Sequence, residues 1–191
     1  MKILEGGLRL NATLDGMDVA NLWRPRKYVY WETGAAMRFI PPAPYGYEDD
    51  THCSAFAAAA ALNLGVYLLS PLPEILLANR QAEWLKTLPA GWQNVNGPVE
   101  AQALANEGYM VEISYLNPNP RASGHIQVVR AYDTRPDQEI AVVGPQIIQA
   151  GKTNFNSTTA AEGFSSGYAA SYSPYPWPNN VEYYAHTTDY V

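Results

Sequence analysis

Cys53 is the only cysteine in a chain of 191 residues, so no internal disulfide can form and its value lies in packing or in reactivity. It sits in the run Asp50-Thr51-His52-Cys53-Ser54-Ala55-Phe56, followed at once by Ala57 to Ala61. A polar, acidic loop ends at the thiol and an alanine-rich apolar helix begins there. In the first turn of a helix, backbone N–H groups lack intrahelical acceptors and the helix dipole favours a thiolate. Asp49 and Asp50 act in the opposite sense, because nearby carboxylates disfavour a second negative charge. A base is therefore required to draw off the thiol proton.

His125 supplies that base. The run Ser123-Gly124-His125-Ile126-Gln127-Val128-Val129 reads as a strand opening on the histidine, with Gly124 admitting a close backbone approach. An imidazole acting as a base needs a partner that orients its second nitrogen. Gln149 ends the following strand, 24 residues on, and its amide oxygen can accept from the ring; Asn154 and Asn156 compete for the role. His52 neighbours the cysteine along the chain, so its side chain should point elsewhere, to line a cleft or meet solvent. His186 falls in a closing aromatic strand and is the reserve base. Three scattered histidines and one cysteine offer no close pair of metal ligands, so neither a metal nor another cofactor is expected.

The bulk composition narrows the setting. An apolar content of 47% with 16% charged residues is that of a globular chain, and 191 residues suit one domain better than two. A net charge of −6 without a basic stripe argues against nucleic acid as partner. The longest apolar run, Phe56 to Leu62, is far too short for a membrane span. Glu5-Gly6-Gly7 occupies the place where a signal peptide would carry its apolar segment. With 14 Tyr, 5 Trp and 15 Pro, long ordered loops with aromatic side chains are expected, serving either loop packing or a groove for an extended ligand. Asn11-Ala12-Thr13 and Asn156-Ser157-Thr158 fit the glycosylation pattern, which has meaning only in a eukaryotic secretory setting.

Several elements must position the two reactive residues. Residues 1–43 read as an irregular lead-in broken by Gly6-Gly7, Pro25 and Gly34, with Tyr28-Val29-Tyr30-Trp31 the best strand in it. Residues 44–150 form the core. A helix runs from Cys53 to Leu64 and ends near Gly65. A second begins at Ser70-Pro71-Leu72-Pro73-Glu74, turns Ile75, Leu76, Ala78, Ala82 and Leu85 inward and stops before Pro89. A third opens at Asn96-Gly97-Pro98 and closes at Gly108. Strands follow over Tyr109–Leu116 and Gly124–Tyr132, with a third, bent at Gly144-Pro145, from Glu139–Val143 and Gln146–Gln149. Residues 151–191 read as a loop-rich part closed by a strand over Val181–His186. Helices first and an antiparallel sheet afterwards give an α+β fold in a single domain, 1–191.

In order along the chain, Pro44-Tyr45-Gly46-Tyr47, Thr51-His52-Cys53-Ser54-Ala55-Phe56, Ser123-Gly124-His125-Ile126-Gln127-Val128-Val129 and Ile148-Gln149-Ala150 resemble the motifs of NlpC-type papain-like cysteine hydrolases, with the CHAP-type amidases as near relatives. The chain departs from that pattern at Ala55, where the family has glycine, at Glu48-Asp49, where it has two glycines, and in the long step from His125 to Gln149. The resemblance implies a papain-like fold, its N-terminal catalytic-cysteine helix packed on an antiparallel β-sheet. It also implies hydrolysis of an amide bond through an acyl-enzyme, with Cys53 as nucleophile, His125 as base and Gln149 as orienting residue. Tyr45 would line the site and help hold the oxyanion beside the Cys53 backbone N–H; Tyr47, His52 and Ser54 would complete the substrate-binding surface. The substrate it implies is a peptidoglycan peptide, which favours the bacterial periplasm, the cell wall or the exterior, while the sequence itself leaves the compartment open, the cytosol included; an inhibitor or immunity protein is a further candidate partner.

Two other functions use the same residues differently. A thiol-dependent acyl or peptidyl transferase would share the fold and exclude water from the acyl-enzyme. A non-enzymatic binding module would bury Cys53 and present Tyr168, Tyr172, Tyr175 and Trp177 as its ligand surface.

Overall fold

The computed structural model describes residues 1–38, 51–70, 78–166 and 174–191. Tyr45, Tyr47, Asp49, Asp50, the start assigned to the second core helix with its Ile75 and Leu76, and Tyr168 and Tyr172 lie outside the described residues. Six strands form one antiparallel sheet in the order β1-β6-β2-β3-β4-β5, where β1 is Trp92–Asn94, β2 Met110–Tyr115, β3 His125–Val129, β4 Gln146–Gln149, β5 Phe155–Thr159 and β6 Glu182–His186. Among the described residues six helices accompany it: α1 (Glu5–Gly16), α2 (Cys53–Asn63), α3 (Ala78–Lys86), α4 (Pro98–Glu107), α5 (Asp137–Val143) and α6 (Ala160–Ser165). The α+β class expected from the sequence is thus the observed one. None of the described helices is long and apolar enough to cross a membrane.

α2 is the central helix. Every residue from Phe56 to Ala61 is buried, as suits a helix that is apolar all round, and its methyl side chains let it lie close against β3 and β4. Trp23 caps this packing with its ring edge-on to Phe56, the centroids 5.3 Å apart. The helices over 53–63, 78–86 and 98–107 and the strands over 110–115, 125–129 and 182–186 all fall where the sequence places them. At the end of α4, Gly108 adopts φ 111°, the left-handed C-cap that glycine supplies at least cost.

Three expectations are corrected. The lead-in is not irregular throughout: α1 spans Glu5–Gly16 and buries Gly6, Gly7, Leu10 and Leu14. The Gly6-Gly7 pair is a docking surface instead of a breaker. A Cβ on Gly6 would lie 2.1 Å from the Glu107 carbonyl oxygen, so α1 reaches the end of α4 only because that atom is absent. Secondly, Glu139–Val143 belongs to a helix, not a strand. Pro136 caps it in an extended conformation, Asp137 and Glu139 meet the positive end of the dipole, Arg135 pairs with Glu139 at 3.0 Å and Gly144 (φ 84°) ends it. These capping terms outweigh the strand preference of Ile140, Val142 and Val143. Thirdly, the part after residue 150 holds β5 and α6 besides loops. Thr159 caps α6 by accepting from the Glu162 N–H at 3.2 Å, and Thr159-Ala160-Ala161-Glu162 is a capping-box sequence. The segment Tyr28–Trp31 forms only an isolated bridge, Val29 to Ala36.

Gly6→Ala should lower the unfolding free energy by about 1–3 kcal/mol through forced separation of α1 and α4. Urea denaturation checks this, and an unchanged midpoint would mean that α1 is not pinned at this contact.

Candidate active site

α2 and β3 bring their first residues together. Cys53 and His125 are both buried, at 7% and 5% exposure, and a side-chain hydrogen bond joins them. The register of β3 with β4 sets Gln127 beside Gln149, and the Gln149 Oε1 accepts from His125 Nε2 at 2.9 Å and from Gln127 Nε2 at 3.0 Å. The amide has one orientation that fits, since Gln149 Nε2 donates to the carbonyls of Thr153 and Gly163 at 3.2 and 3.3 Å. Its oxygen therefore faces the imidazole, which must carry its proton on Nε2 and present Nδ1 to the sulfur. Phe164 sets the ring edge-on from α6, with centroids 5.5 Å apart.

The electrostatics of the pair run in opposite directions. Burial pushes the Cys53 thiol up, but the His125 imidazolium, its hydrogen bond, and the N–H groups of Ile126 and Ser54 outweigh burial and leave the thiol below its ordinary value. Burial pulls His125 down, yet the Cys53 charge and the hydrogen bonds to Cys53 and Gln149 raise it above the usual imidazole range. A thiolate–imidazolium pair is the state these shifts favour. The stability it contributes through His125 is complete below the free imidazole pKa and is lost as pH rises through the raised one. Through Cys53 it is present above the free thiol pKa and is lost as pH falls through the lowered one.

The other candidates are placed as follows. His52 Nε2 meets the Lys27 carbonyl at 2.7 Å, so its ring turns away from the sulfur. Ser54 is buried, with its carbonyl accepting from Gln81 Nε2 at 3.0 Å. Asn154 does not reach His125: its amide accepts from the Gly151 N–H and donates to the carbonyls of Val19, Leu22 and Trp23. Asn156 likewise serves structure, accepting from the Ala20 N–H. His186 pairs in register with Met110, whereas His125 pairs with Tyr115, which separates the two histidines by about 17 Å along β2. The reserve base is at the wrong end of the sheet. There it joins Trp92, Trp84 and Tyr67 in a chain of edge-on rings, so part of the aromatic surplus is packing.

Sequence reasoning missed Gln127, Phe164, Gly163 and Glu112. Gly163 is required by α6 itself: a Cβ there would lie 2.5 Å from Gln127 Nε2 and 2.8 Å from Gln149 Oε1. Glu112 is completely buried on β2 and has no hydrogen-bond partner for either carboxylate oxygen among the described residues. Burial first, and the Cys53 charge second, push its carboxyl well above the usual range, so it stays protonated and adds no negative charge beside the thiolate. Its only warning in the sequence was an acidic residue within an apolar strand, Met110-Val111-Glu112-Ile113. Compared with models of known protein families and with curated proteins, the chain has no match, and the functional reading rests on this geometry.

Two outcomes follow. Gly163→Ala should part His125 from Gln149, lowering the reactivity of Cys53 at neutral pH at least several-fold while the far-ultraviolet spectrum is retained; unaltered reactivity would separate the glutamine from the pair. For Glu112, the unfolded carboxyl ionises near pH 4.3 while the folded one does not, so the parent loses stability as pH rises above that value. The stability advantage of Glu112→Gln over the parent should therefore grow by up to about 1.4 kcal/mol per pH unit above it, measured by denaturation at pH 4 and pH 7. Parallel stabilities would mean that the carboxyl ionises in place.

Proposed function

We propose that the protein is a papain-like cysteine hydrolase that cleaves an amide bond, with a peptidoglycan peptide as the substrate class implied by its motif resemblance. The observation that carries this reading is the buried Cys53–His125–Gln149 line, with thiol and imidazole shifted toward a thiolate–imidazolium pair. The Cys53 sulfur attacks the carbonyl carbon and the π electrons move to oxygen. The first intrahelical bond of α2 is donated by the Phe56 N–H, so the Cys53 N–H has no helical acceptor to serve, which supports its role as donor to that oxyanion. One such donor is worth about 2.7–4 kcal/mol. As the tetrahedral intermediate collapses, the C–N bond breaks and His125 delivers its proton to the leaving amine. Water then adds to the thioester with His125 taking its proton, and C–S cleavage releases the acid and restores the thiolate.

The recessed position of Cys53 and His125 also favours a second reading, transfer to an amine. In that case the amine nitrogen attacks the thioester, His125 removes its proton and the product is a new amide. Product analysis with added amine separates the two, acid marking hydrolysis and amide marking transfer. A buried cysteine also suits a binding module, and alkylation of the native thiol separates that reading from the catalytic ones.

In the native protein, alkylation of Cys53 should show an apparent pKa below the free-thiol value of about 8.5. His125→Ala should raise it, since burial is then opposed only by the N–H groups of Ile126 and Ser54, and should lower turnover of peptidoglycan peptides by roughly 10²–10⁴-fold. A Cys53 that reacts only after denaturation, or a profile indifferent to His125, would defeat the catalytic reading.

A further inference from the structure

An open groove of about 420 Å³ is lined by Ala20, Arg24, Pro25, Lys27, Lys152, Thr153 and Asn154. Among the described residues the lining carries three cations, Arg24, Lys27 and Lys152, and no acid. Both walls are tied to the reactive centre. The Lys27 carbonyl meets His52, the residue before the nucleophile, at 2.7 Å, and the Thr153 carbonyl accepts from Gln149, which orients His125. The groove is also preformed. One Asn154 amide nitrogen holds the carbonyls of Val19, Leu22 and Trp23, at 2.7, 2.9 and 3.3 Å, and so joins one wall to the other. Trp23, at φ 48°, is locked by its Nε1–H to the Trp31 carbonyl and by Phe56.

We infer that this groove is a substrate subsite for a carboxylate-bearing peptide segment, its anionic side chains or terminus paired with Arg24 and Lys27 while the scissile carbonyl reaches Cys53. The inference rests on the hydrolase reading for the second half of that statement only. A guanidinium binds a carboxylate through two parallel N–H donors, and an ammonium adds a compact point charge, so the pair selects charge and geometry together. A cationic lining of this kind draws an anionic segment toward it, an attraction that salt weakens.

Titration of the whole protein with acetylated triglutamate, followed by backbone amide shifts, tests it. Signals of Lys27, Thr153 and Asn154 should move with triglutamate and not with the neutral triglutamine peptide, and the affinity should fall as salt is raised. Arg24→Gln/Lys27→Gln, at two exposed positions, should weaken binding at least tenfold. Bound triglutamate should also slow alkylation of Cys53 by uncharged iodoacetamide in the parent and not in the variant. Equal binding of the two peptides, or an unaffected variant, overturns the subsite, and tighter binding of inorganic phosphate overturns its assignment to a peptide. Triglutamate binding with an inert Cys53 supports the anion-binding groove and overturns the hydrolase reading.

Discussion

Gln149 has four hydrogen bonds on one amide, and the rest of the centre takes its orientation from them. Because the nitrogen is committed to the carbonyls of Thr153 and Gly163, the oxygen faces His125 Nε2, and the imidazole can offer only Nδ1 to the thiol. The glutamine is held in turn by β4 in register with β3, by Gln127 across that pair and by α6, which approaches closely enough only through Gly163. A side-chain amide in an open loop would rotate, and the ring would lose its tautomer with it.

Burial has opposite effects on the members of this centre. It penalises the thiolate and the imidazolium separately, yet the same low dielectric strengthens their attraction once both are charged. For the thiol, the His125 charge and hydrogen bond, with a smaller contribution from the N–H groups of Ile126 and Ser54, outweigh burial. Glu112 shows what burial does without an opposite partner: the group keeps its proton. The pair therefore works in a region that admits one compensated pair of charges and rejects a further anion.

Positive charge appears where the chain can use it, at the surface between residues 20–27 and 152–154. These two segments are far apart in sequence and are joined by the Asn154 amide, so the same side chain that failed as an orienting residue for His125 builds the groove wall. Asparagine suits the task because it can accept from one backbone group while donating to others.

Much of the centre was legible in the sequence because its signals are local. Cys53 ahead of an alanine run marks a helix start, Gly124-His125 ahead of β-branched residues marks a strand start, and Gln149 ends the next strand. α1, α5 and α6 were misread through single residue types: glycines taken as breakers, Ile and Val taken as strand formers, and a capping box hidden among loop residues. The sequence by itself determined which residue types were available at element starts, since capping, propensity and apolar runs act over a few neighbours. Only the tertiary structure decided that Gln149 and not Asn154 faces His125, that Glu112 is buried and keeps its proton, and that Arg24, Lys27 and Lys152 share one groove. Those outcomes depend on strand register and on contacts between segments more than 100 residues apart, where one step of register exchanges one face of a strand for the other.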